Sequence, residues 1–96
     1  MKKLVKITQE DINNGRRGVF NQCPVALAIK RVVNPLYRFA VVVGNTNIYI
    51  QKERVEHSEK SRIFVFLFDN RRKVYPTSFY LDIPPEFLEK KAKNCT

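Results

Sequence analysis

The chain has 96 residues, with 18 Lys and Arg against nine Asp and Glu, and a net charge of +9. That length makes one domain, able to bury a modest core without a metal or disulfide to hold it, and a hydrophobic content of 44% excludes a disordered chain. The charge implies an anionic partner without naming it.

Residues 2–7 alternate and form a candidate first strand. Lys6, Gln9, Glu10 and Asp11 interrupt any apolar stretch here, so no signal peptide is expected. Thr8 opens a helix over 9–14, with a capping hydroxyl, acids in the first turn and Gly15 as its stop. Cys23-Pro24 begins the best-defined helix, 23–33, because proline at the first helical position loses nothing by its missing N–H. Val25, Ala28, Ile29, Val32 and Val33 then recur at helical spacing. Asn34-Pro35 ends it.

Residues 37–52 have the pattern of a β-hairpin. Phe39 to Val43 is β-branched and apolar, Gly44 to Asn47 supplies turn residues, and Asn47 to Gln51 alternates with period two. The segment 58–70 stands even between strand and helix. Ile63 to Phe68 favours a strand on propensity, whereas Ser58 and Glu59 look like a helix start. That apolar run is also the longest in the chain, far short of the ~20 residues that span a bilayer. Residues 74–83 suit a strand, with Pro76 confining its first part to an edge or bend. Pro84 to Leu88 starts a short helix that runs into a basic tail at about 89–96. Two cysteines, Cys23 and Cys95, give no disulfide framework, and no bridge between them is expected. The sequon at Asn94 to Thr96 is accidental in an intracellular protein.

Three stretches share an order with a known group: Ile7 to Ile12, Cys23 to Ile29, and Phe68-Asp69 followed by Pro76, Phe79, Leu81 and Ile83-Pro84. This order resembles a family of small uncharacterised proteins encoded by bacteriophages and prophages, over most of the chain outside the hairpin and the tail. The resemblance implies that 58–69 is a helix ending at Phe68-Asp69. The chain departs from the family at Asn70-Arg71-Arg72, where a glycine-containing turn is expected; Asn70 is suited to the left-handed conformation such a turn needs. The family brings no catalytic residues to carry over.

Catalytic chemistry has little to build on. His57, in the polar run Glu56 to Glu59, has the setting of an exposed loop histidine. Adjacency to Ser58 does not make a nucleophile–base pair. Cys23 gains some acidity from a helix N-terminus, but a capping, semi-buried thiol is the commoner outcome. One histidine and two cysteines without paired spacing make no zinc site, and no cofactor is expected. Gly15-Arg16-Arg17-Gly18 is too short for a phosphate loop. It does precede the helix at Cys23-Pro24, whose free N–H groups form an anion site, and Arg16 and Arg17 could close over a phosphate there. A solvated basic loop is the plainer reading. Arg71, Arg72 and Lys73 form a second basic cluster beside Tyr75, as on nucleic-acid surfaces where charge holds the backbone and rings stack on bases. No known recognition motif accompanies them.

These observations predict an α+β domain spanning 1–96: a small, mostly antiparallel sheet of three or four strands with two main helices on one face. Its core is expected at Val25, Ile29, Val32, Phe64, Leu67 and Phe68. The anion-binding residues are expected at Arg16, Arg17, Cys23, Arg71, Arg72 and Lys73. The resemblance implies a non-enzymatic phage accessory protein in the host cytoplasm, inhibiting an antiviral defence through a nucleotide signal or a protein–nucleic-acid complex. The other reading is a DNA- or RNA-binding protein in phage replication or gene regulation.

Overall fold

The computed structural model describes residues 2–44 and 46–88, so the basic tail at 89–96, with Cys95, lies outside the described residues. The order is strand β1 (Lys2–Ile7), helix α1 (Gln9–Asn14), helix α2 (Pro24–Val32), a 3-10 helix (Pro35–Ala40), strands β2 (Val41–Val43), β3 (Asn47–Ile50) and β4 (Glu53–Glu56), helix α3 (Glu59–Asp69), strand β5 (Thr77–Asp82) and a 3-10 turn (Pro85–Phe87). The fold is α+β. Its strands divide between two antiparallel sheets, β1-β5 and β2-β3-β4, rather than forming the single sheet expected.

Local chemistry accounts for most boundaries. At α1, Thr8 Oγ1 accepts from the Asp11 N–H while the Asp11 carboxylate accepts from the Thr8 N–H, a reciprocal capping box. Arg31 of α2 grips the same carboxylate through both terminal nitrogens at 2.6 Å and donates to the Lys6 carbonyl at 2.8 Å, joining α2 to β1 and α1. Burial favours a raised pKa for Asp11, but the bonds from Arg31 and Thr8 outweigh it and hold the carboxyl below its usual range. Cys23 caps α2, and Ser58 caps α3 by accepting from the Ser61 N–H at 3.2 Å.

Two expectations need correction. Residues 35–40 are helical, not the start of a hairpin strand: the Asn34 side chain accepts from the Leu36 N–H at 3.0 Å, and Pro35 presets the first turn. Sequence patterning also missed β4. It pairs with β3 in the register Ile48↔Val55 and Tyr49↔Arg54, joined through Gln51 and Lys52 at φ 55° and 67°. Both central residues are therefore left-handed, as a type I′ turn requires, without the Asn-Gly that normally announces one.

One core joins both sheets to α2 and α3. Val5, Val25, Ile29, Val41, Ile48, Ile50 and Ile83 are fully enclosed, with Phe64 and Phe68 beside them. The expected core residues Val32 and Leu67 are only half-buried. In α3 the inward row is Ser61, Phe64, Val65 and Phe68, which leaves Ile63 and Phe66 outside. No helix among the described residues is long and apolar enough to cross a membrane.

Candidate functional site

The loop after α1 does not stand open over the start of α2. Gly15 lies against Pro24 so closely that an added Cβ would meet the proline ring at 2.6 Å. Glycine is needed here for close approach, since its φ of −71° suits any residue. Arg16 is pinned by its backbone, its N–H donating to the Gln22 carbonyl at 2.9 Å, and its side chain is exposed. Gly18 takes φ 71°, the left-handed conformation that favours glycine, and donates to the Asp69 carboxylate at 3.1 Å.

The amides that begin α2 meet groups of the chain itself. Cys23 Sγ accepts from the Ala26 N–H at 3.5 Å, and Asp69 lies near enough to act on the thiol. Burial pushes the Cys23 pKa up, backbone N–H groups of Ala26 and Val25 oppose this, and the Asp69 charge adds to the rise. The cavity beside it, about 280 Å³, is lined by Gly18, Val19, Phe20, Cys23, Val43, Gly44, Val65 and Asp69. The described lining holds a carboxylate and no basic side chain, poor company for a phosphate. Cys23 is thus a buried cap rather than part of a basic surface.

Arg17 points instead to the end of α3. Its Nε donates to the Phe68 carbonyl at 3.1 Å across a sequence separation of 51, and its guanidinium lies 5.1 Å from the Phe68 ring centre. A cation there also complements the negative end of the helix. The same carbonyl accepts from the Arg71 N–H at 3.1 Å, and the Arg72 N–H donates to the Leu67 carbonyl at 2.8 Å. These two bonds make a Schellman closure of α3. Arg71 takes the left-handed position at φ 61°. Asn70, the residue expected there, keeps φ −95° and spends its side chain on the Phe66 carbonyl at 2.7 Å.

No family model, curated protein or solved structure matches this chain. Its function therefore rests on this geometry. The two basic segments meet around one backbone oxygen, which brings Arg16, Arg17, Arg71, Arg72 and Lys73 to one end of α3, with Asp69 the acid among them. Arg16, Arg71, Arg72 and Lys73 are exposed. Lys73 Nζ lies 5.7 Å from the centre of the Tyr75 ring, itself 65% exposed. Several other cations donate to backbone carbonyls of the fold. Lys30 donates to the Asn21 carbonyl at 2.7 Å, Arg38 to the Lys30 carbonyl at 3.0 Å and Arg62 to the His57 carbonyl at 3.2 Å.

His57 is buried, at 5% exposure, and not on an open loop as expected. Its Nε2 lies 3.1 Å from the Gly44 carbonyl, which can only accept, so Nε2 carries the proton. Nδ1 then accepts from Ser61 Oγ at 2.6 Å, and Ser58 Oγ donates to Ser61 Oγ at 3.0 Å. Burial drives the His57 pKa down to about 4, against the pull of the Gly44 bond and with help from the Arg62 charge. The i, i+4 spacing of His57 and Ser61 was the available signal for this relay. Among the described residues, no group of three His, Cys, Asp or Glu side chains is placed to hold a metal ion.

Proposed function

We propose that this chain is a non-enzymatic binding protein that holds the phosphate backbone of a nucleic acid, as part of a host protein–nucleic-acid complex, on the surface around Arg16, Arg71, Arg72 and Lys73. The observation that carries this reading is the meeting of two basic segments at the Phe68 carbonyl, where Arg17 and Arg71 both donate at 3.1 Å. Exposed guanidinium groups suit bidentate phosphate contacts, and Tyr75 beside Lys73 offers a ring face to a base.

An extended ligand fits better than a small nucleotide signal. The cavity at the start of α2 has no basic side chain in its described lining, whereas the cations lie on an outer surface. Cys23, buried with a raised pKa, and His57, enclosed by Ser61 and Gly44, are poorly placed to act as nucleophile or base. The phage resemblance gives the binding its purpose, inhibition of a host defence. Among the described residues the cations of this surface, Arg16 and Arg71 to Lys73, come from loops and not from a helix face, which suits sequence-independent contact better than gene regulation at a defined site.

Fluorescence anisotropy with a labelled random-sequence DNA, duplex and single-stranded, tests the reading. Replacing Arg71 and Arg72 by Ala should weaken binding about tenfold. The equal charge loss Lys52→Ala with Arg54→Ala should weaken it far less. Equal losses in the two variants would show a response to net charge alone and end the proposal, as would absence of binding at low salt.

A further inference from the structure

The outward face of the three-stranded sheet carries an apolar groove. Strand alternation sends Val41, Val43, Ile48 and Ile50 into the core. Val42 and Tyr49, paired in register, stand on the opposite side. The Gln51 N–H continues the pairing to the Ala40 carbonyl at 3.1 Å. Together Ala40, Val42, Tyr49, Gln51 and Lys52 line a groove of about 630 Å³, predominantly apolar. The left-handed turn at Gln51-Lys52 forms one wall of it.

The 3-10 helix that leads into β2 reaches the groove through Ala40, its last residue. Tyr37 turns inward, its ring edge-on to Phe87 at 4.8 Å. Leu36 and Phe39, three residues apart and therefore on one side of a 3-10 turn, are left 74% and 95% exposed. A phenylalanine almost wholly in water, continuous in the chain with an apolar groove, is the mark of an interaction surface.

Charge selects the occupant. Lys52 is in the groove wall and Arg54 lies opposite Tyr49; Arg38, also exposed, sits between Leu36 and Phe39 in sequence. Among the described residues β4 carries two carboxylates, Glu56 at its far end on this face and exposed Glu53, which alternation places on the other side. A second copy of the chain would bring another +9 against this one. We propose that this groove docks an acidic protein segment, with apolar side chains seated on Val42 and Tyr49 against Phe39 and Leu36, and carboxylates reaching Lys52 and Arg54. The site is separate from the basic surface at the end of α3. The chain would thus engage the protein and the nucleic acid of one complex through two surfaces.

Three short labelled peptides serve as probes: one with Leu and Phe among Asp and Glu, one with its acids changed to Lys, and one with its apolar residues changed to Ser. The acidic apolar peptide should bind, and each of the others should bind at least about tenfold more weakly. Leu36→Ser with Phe39→Ser should reduce binding by about the same factor, with an unchanged melting curve because both side chains are already in water. Lys52→Glu with Arg54→Glu should shift preference to the Lys-containing peptide. Arg71→Ala with Arg72→Ala should leave peptide affinity unchanged, which separates this proposal from the nucleic-acid reading. Equal binding of the three peptides, or indifference to the Leu36 and Phe39 changes, would overturn it. So would single-stranded DNA held through Phe39 and Tyr49, or a dimer in sedimentation that Phe39→Ser dissolves.

Discussion

At His57, burial decides protonation. The neutral ring links β4 to the Gly44 carbonyl through one nitrogen and to Ser61 through the other. Its folded pKa lies at about 4 against an ordinary value of 6.5. Between those values the unfolded chain takes up a proton that the folded chain refuses, so stability rises with pH across that window. The contribution is complete above pH 6.5 and is lost as the pH falls toward 4. A gap of this size is worth roughly 3 kcal/mol. Urea denaturation between pH 7 and pH 4 should show a fall of that order, and His57→Gln should flatten it. Asp11, held below its usual range by Arg31 and Thr8, loses its contribution only below that window, as pH drops through its lowered folded value. A decline that persists unchanged in His57→Gln would remove the histidine as its cause.

At the scale of elements, the two left-handed turns separate what patterning could show from what it could not. Helices α1 and α2 announce themselves through their own caps, at Thr8 and Cys23-Pro24, and their starts were legible. At α3 the Ser58 cap stood against the strand propensity of Ile63 to Phe68, and the residues alone left that segment even. Strand β4 was not legible, because Gln51 and Lys52 occupy the turn that Asn-Gly would signal. The β-branched stretch at Val41 to Val43 likewise concealed that Asn34 and Pro35 coil the residues before it. Replacing Gln51 and Lys52 by Asn and Gly should relieve the left-handed cost and raise unfolding stability by roughly 1–2 kcal/mol. A fall in the denaturation midpoint would contradict the turn assignment. Arg71→Gly separates stability from function more sharply. It should raise stability by about 1 kcal/mol, since glycine takes φ 61° freely. The same change should weaken nucleic-acid binding, because a surface cation is lost. A variant both less stable and unimpaired in binding would speak against both roles.

For the whole molecule, net charge was a coarse guide that the fold refines. The sequence clusters at 16–17 and 71–73 were visible as separate patches; their union depends on Arg17 reaching a carbonyl 51 residues away, a contact no local pattern encodes. Other cations turned out to hold the fold, as Arg31 does on Asp11. What remains is a directed surface at the end of α3, and it is there that the account is most exposed to test. The salt dependence of binding to duplex DNA measures how many phosphates are held. Four exposed cations predict a gradient of log Kd against log salt of about 3 to 4, falling by about 2 in Arg71→Ala with Arg72→Ala. A gradient that the paired change leaves intact would place the binding elsewhere on the molecule and contradict the assignment.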